Sequence, residues 1–232
     1  MKESNTNSSR SGARVPKQQR SLETQEKILL AALAVFAERG YDGATIGGIA
    51  KHAGVGQSLV EYHFPSKEDL WVATVEVALD KFMAGLLPDI EAQEGLDPAL
   101  RLSLIFQNYT RYVSGTPELF PIMIDMNRRG GPALDRVIKG RLRPTYERLR
   151  PLIEAAQRAG DMPAGDPGLI YYSLVSVAAT LFSVKREFEL LTGRDPTDPD
   201  MVEAQASLLT RLFFPGLAEA DGAGRQRTGT AK

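Results

Sequence analysis

From Ile28 to Phe213 the apolar residues of this chain recur every three or four positions, and no stretch competes with them in the two-residue rhythm of a strand. A chain patterned in this way buries its apolar stripes by packing helix on helix. Beyond Pro88 the segments at about 97–114, 117–128, 132–159, 167–192 and 198–213 all read as helices, punctuated by Gly, Pro and Asp. The expected fold is all-α, with a small three-helix head ahead of a larger C-terminal helical bundle.

The head is the best-marked part. Ile28, Leu29, Ala32, Leu33, Val35 and Phe36 form the stripe of a first helix beginning near Leu22, and Gly40 suits the position just past its end. Thr45 can cap a second, short helix whose apolar positions are Ile46, Ile49, Ala50 and Ala53, and Gly54 stops it. A third, from about Gln57 to Phe64, ends before Pro65, which has no N–H to continue it. Ser66 with Asp69 three residues on opens a fourth helix through Leu70, Val72, Val75, Leu79 and Phe82. The expected division is a disordered basic arm at 1–20, a head at 21–66, a helical body at 67–218 and a disordered tail at 219–232.

Two short helices crossing steeply need a small residue where they touch, a turn that accepts positive φ, and an aliphatic residue to lock the second helix. Ala50, Gly54 and Val60 meet those needs in that order, the pattern of a helix-turn-helix. Such a geometry turns Gly56, Gln57, Ser58, Glu61 and Tyr62 outward, where a second helix enters a major groove. Gln57 can read adenine through its amide, Ser58 can serve a base or a phosphate, and Tyr62 and His63 can donate to phosphate oxygens. Lys67 adds its charge at the start of the next helix. His52 and His63, the only histidines, then belong to a DNA-facing surface; two histidines without further ligands at diagnostic spacing are not a metal site.

The stretches ILLAALAVFAERGYDGAT, IAKHAGV and YHFPSKEDL, spread over Ile28 to Leu70, resemble the TetR family of bacterial transcription regulators. That resemblance implies a homodimer on a palindromic stretch of double-stranded operator DNA, acting as a repressor until a small-molecule effector enters the body and moves the two heads. It implies DNA-contact positions at Thr45, Gln57, Ser58, Tyr62, His63 and Lys67, and no cofactor. Two features depart from the family's pattern. Gly47 and Gly48 stand where a polar or basic residue followed by an acid is frequent, which weakens the second helix by up to about 1 kcal/mol per glycine. Glu61 stands where a phosphate-contacting tyrosine is common, and a carboxylate near phosphates is repulsive unless it accepts from cytosine N4 or pairs with a local base.

Charge sharpens the point. Residues 21–63 carry three bases against five acids, whereas residues 1–20 carry Lys2, Arg10, Arg14, Lys17 and Arg20 against Glu3 alone. The arm is therefore the expected source of attraction to DNA. Deleting residues 1–20 is expected to weaken operator binding and to flatten its salt dependence, by about 0.9 in the log–log slope for each phosphate that the arm neutralises. A salt titration of the truncated chain that overlays the full-length curve would refute this.

In the body, Phe106, Tyr109, Tyr112, Met123, Met126, Tyr171 and Phe182 ordinarily read as core, and together they can line an adaptable apolar cavity for an effector, with Asn108, Arg111, Asp125 and Arg128 as candidate polar partners. The uncharged run Pro167 to Val184 carries Ser173, Ser176, Thr180 and paired tyrosines, and reads as a helix at a subunit interface and not as a membrane span. The last two helical segments are long and apolar enough to build a four-helix interface with a second copy. No cysteine and no apolar leader are present, in keeping with a cytoplasmic protein. Phosphate-loop, GxSxG, HExxH and dinucleotide signatures are missing, so the expectation is a protein that is not an enzyme. Two other readings stand beside the leading one: a DNA-binding regulator answering to a protein partner or to no effector, and a helical enzyme with a site hidden in the body.

Overall fold

The computed structural model describes residues 17–93 and 95–217; residues 1–16 of the arm expected at 1–20, and the tail expected at 219–232, lie outside the described residues, while residues 17–20 are helical. Within them every regular element is a helix and none is a strand. The first helix, α1 (Lys17–Gly43), starts earlier than its apolar stripe suggests, taking in Lys17 and Arg20. Its interior course breaks at Gly40, whose φ of 66° only glycine adopts readily, and one further turn follows to Gly43. Ile28, Leu29, Ala32, Val35 and Phe36 are buried, and Leu33 packs at their edge.

The short helices α2 (Ile46–Ala53) and α3 (Gln57–His63) follow, then α4 (Lys67–Ala92), which packs along α1 and continues into the body. The Ser66 hydroxyl accepts from the Asp69 backbone at 3.0 Å, which caps α4, and donates to the Asp69 carboxylate at 2.6 Å, so the shorter Asp side chain meets the hydroxyl where a capping-box Glu would reach the backbone N–H of the cap. The body comprises α5 (Pro98–Ser114), α6 (Leu119–Arg129), α7 (Gly131–Val137), α8 (Arg143–Ala159), α9 (Pro167–Ser183), α10 (Lys185–Thr192) and α11 (Pro199–Phe213). Three of these open on Asp-Pro, and at Asp97 and Asp166 the carboxylate accepts from the first free backbone N–H groups while proline fills a position that needs none. Helix α5 is central, touching α4, α8, α9 and α11. Its Ser103 and Gln107 meet Thr210 of α11 at 3.1 and 3.0 Å.

Two expected helices are each divided. The segment at 132–159 contains a widened π-turn at Ile138–Leu142 between α7 and α8. Pro144 explains it: the ring has no N–H to give Gly140 and would strike that carbonyl in a regular helix, which the wider turn relieves. The segment at 167–192 bends by 72° at Val184, whose φ and ψ of −106° and 29° leave the helix. Lys185 anchors the new direction, donating to Asp195 at 2.7 Å and Thr197 at 3.0 Å across the following loop. Among the described residues no single helix is long and apolar enough to cross a membrane.

Candidate nucleic-acid interface

Thr45, extended and exposed, accepts from the Gly48 N–H at 3.0 Å and so caps α2. Gly54, at φ 64° and ψ 37°, turns the chain, and the Val55 N–H reaches back to the Ala50 carbonyl at 3.0 Å. Ala50 and Ala53 are buried against α3, whose Val60 is fully covered. With Val60 as the anchor on this short helix, Gln57, Ser58, Glu61 and Tyr62 are left facing outward, Tyr62 with 79% of its surface exposed. His52 is exposed on α2, and His63 is half-buried, edge-on to Tyr62.

Two expected DNA-facing residues have local partners. Lys67 donates to the carbonyls of Tyr41 at 2.9 Å and Ala44 at 3.0 Å and lies 4.3 Å over the Tyr41 ring, so its ammonium first braces the turn between α1 and α2 and keeps one N–H for another acceptor. Gln57 donates through Nε2 to the Glu61 carboxylate at 2.8 Å. The Gln57 oxygen is turned toward Gly47, where an added Cβ would come within 3.0 Å of it. The two departures from the family's pattern therefore meet in one place.

Sequence reasoning missed the joint between head and body. The turn after Gly40 lies on α6: the Tyr41 N–H donates to Asp125 at 3.0 Å, Arg128 donates to the same carboxylate at 2.6 Å, and Arg129 lies 3.7 Å over the Tyr41 ring while bonding Asp42 at 3.0 Å. Tyr41 and Phe36 both meet Trp71 edge to face, at 5.6 and 4.7 Å. Asp125, a candidate for lining a cavity, belongs here instead. Partial burial pushes its carboxyl up, but the bonds from Arg128 and the Tyr41 backbone outweigh this and hold it below its ordinary 3.8. A depressed carboxyl stabilises the fold fully above its unfolded value and less as pH falls through the folded one. The difference in melting temperature between the protein and Asp125→Asn is thus expected to be constant near neutrality and to shrink below about pH 4. A difference that does not change down to pH 2 would remove Asp125 from the joint.

The body residues proposed for an effector are brought together only in part. Phe106, Met126 and Phe182 are fully buried, Tyr109, Met123 and Tyr171 pack at the edge of the core, and Tyr112 is partly exposed, lying over Gly85 of α4. Four of the rings meet in a chain, Phe106–Tyr109 at 5.9 Å, Phe106–Tyr171 at 6.5 Å and Tyr146–Tyr171 at 5.2 Å. Burial pushes the Tyr171 phenol up to about 12 and that of Tyr109 higher still, so both stay protonated donors. Arg111 faces outward to Glu203 and Asn108, and Arg128 is the partner of Asp125. Surface depressions of about 470 Å³ beside Gly193, Asp195 and Met201, and about 300 Å³ beside Glu154 and Gln157, share no residue with the aromatic group.

The family described as bacterial regulatory proteins, tetR family, matches residues 28–74. The transcriptional regulator RutR of Escherichia coli (strain K12) is 24% identical over 206 residues, 87% of this chain and 94% of that protein. The regulator CymR of Pseudomonas putida is 43% identical over 58 residues, 25% of this chain and 29% of its own. A solved structure of AibR in complex with isovaleryl coenzyme A and operator DNA superposes with a TM-score of 0.69 at 20% identity, covering 83% of this chain and 98% of that one. By sequence and geometry the head, residues 28–74, is that of the tetR family of bacterial regulatory proteins.

Proposed function

We propose that this protein is a ligand-responsive transcription repressor that binds a palindromic operator as a homodimer and leaves it when a small molecule enters the body. The observation that carries the reading is the α2–α3 unit, whose buried Ala50 and Val60 and left-handed Gly54 leave Gln57, Ser58 and Tyr62 exposed, with His63 half-buried beside them. Thr45 and the third N–H of Lys67 flank that face as phosphate donors. The fold of the body resembles that of AibR, a protein solved with both an acyl-coenzyme A and its operator.

A second copy would cover the apolar surface that α9 and α11 leave exposed, Leu169 and Tyr172 on one and Leu208 and Leu212 on the other. The two heads would then meet successive turns of one duplex. The proposed effector site is the aromatic group around Phe106, Tyr109 and Tyr171. No catalytic role is assigned.

The test is selection of bound sequences from a random duplex pool, with the mass of the complex measured by sedimentation, followed by a screen for compounds that release the selected duplex. A two-fold symmetric site held by two chains supports the dimer. Failure to enrich any sequence overturns the reading, and enrichment without any releasing compound favours the partner-controlled form.

A further inference from the structure

We propose that Gln57 and Glu61 act as one reading unit that recognises a C·G base pair, with Glu61 as the residue that accepts from cytosine N4. The proposal rests on the DNA-binding reading above and assigns base specificity to its outward face.

A carboxylate at a DNA surface is repelled by phosphates, so its presence on the outer face of α3 needs a reason. Among the described residues its partner is not a cation: Glu61 accepts from the Gln57 side-chain amide at 2.8 Å. A carboxylate has only acceptors, so the amide must turn its NH2 toward it. This occupies one of the two N–H groups through which a free glutamine would read adenine. What remains on the surface is a second Gln57 N–H beside the unfilled lone pairs of Glu61, a donor next to acceptors. In the major groove a C·G pair offers the complement, the cytosine amino group donating and the guanine O6 beside it accepting; an A·T pair also sets a donor beside an acceptor, at adenine N6 and thymine O4, but adds the thymine methyl next to that acceptor, where the unit has only polar atoms to meet it. Two neighbouring guanine acceptors, by contrast, would face the carboxylate with nothing to give it.

Gly47 gives the unit room. A Cβ at that position would lie 3.0 Å from the Gln57 oxygen, tighter than an ordinary contact, so a side chain there shifts the amide by a few tenths of an ångström. Glycine costs α2 helix stability, and the space it opens for Gln57 is the local gain. Gly48, by comparison, is close only to the Thr45 cap.

The experiment uses the full chain and the duplex selected by it from a random pool, followed by every single-pair replacement within the selected site. Wild type is expected to require C·G at one position of each half-site, losing about ten- to a hundredfold in affinity when that pair is replaced. Glu61→Gln is expected to lose the cytosine preference at that position alone, while its binding to unrelated duplex holds or tightens because a negative charge is gone. Gly47→Ala is expected to melt no lower than wild type, since alanine favours helix, yet to relax the preference at the same position. If Glu61→Gln keeps the cytosine preference and tightens binding to all sequences alike, the carboxylate is a repulsive bystander and the proposal fails. If wild type selects a site with no C·G dependence, the proposal fails while the DNA-binding reading stands; if nothing is selected, both fall.

Discussion

Phe36→Ala is expected to destabilise the protein by about 3–5 kcal/mol, the cost of emptying a fully packed phenyl site. For a chain of this size that corresponds to a fall in melting temperature of roughly 6–20 °C. Phe36 is 1% exposed and stands edge-on to Trp71 at 4.7 Å and stacked with Tyr41 at 6.2 Å. It therefore supports two things at once, the core between α1 and α4 and the ring that Arg129 and Lys67 cover at the joint with α6. Trp71 is the single tryptophan, so its fluorescence reports this joint directly. The variant is expected to show a red-shifted emission before global unfolding, as water reaches the space the phenyl ring left. Leu30→Ala, on the exposed side of the same helix, is the control and should change stability by no more than about 0.5 kcal/mol. Equal behaviour of the two variants would mean that Phe36 does not carry the joint.

The head was legible because its determinants are close in sequence. A cap at Thr45, a turn at Gly54 and a lock at Val60 act within one or two helical turns, and each demands a residue type that can be recognised alone. The outward set on α3 followed from that scaffold as a matter of direction: with Val60 buried, Gln57, Ser58, Glu61 and Tyr62 are exposed. The joint was not legible, because Tyr41 and Asp125 lie 84 positions apart and neither is unusual in its own neighbourhood. The pairing of Gln57 with Glu61 was within reach, since four residues is one helical turn. On a helix expected to face a groove, an amide and a carboxylate are each assigned a partner in a duplex, and that expectation masks the bond between the two side chains. In the body, periodicity found the helices but not their breaks. The bend at Val184 depends on Lys185 finding Asp195 and Thr197 in a later loop, and the π-turn on Pro144 striking Gly140. Apolar spacing carries neither message.

Val60→Asp and Tyr62→Ala should fail in opposite ways, and the contrast separates scaffold from surface. Val60 has no exposed surface, so aspartate there buries a carboxylate with no cation prepared for it, at a cost of about 3–5 kcal/mol or the loss of the packing of α3 on α2. Operator binding is expected to disappear, and Trp71 emission should show whether α1 and α4 remain paired beneath the loosened helices. Tyr62 touches little besides His63 and is largely exposed. Its replacement should leave the melting temperature in place and reduce operator affinity by about tenfold, the worth of one hydrogen bond to a phosphate. A gel-shift titration beside a melting curve reads both quantities on each variant. If Tyr62→Ala binds like wild type, the outer end of α3 does not meet the duplex. If Val60→Asp also binds like wild type, the protein reaches DNA through some other surface, for the α3 face cannot stay in register once its only buried anchor is charged.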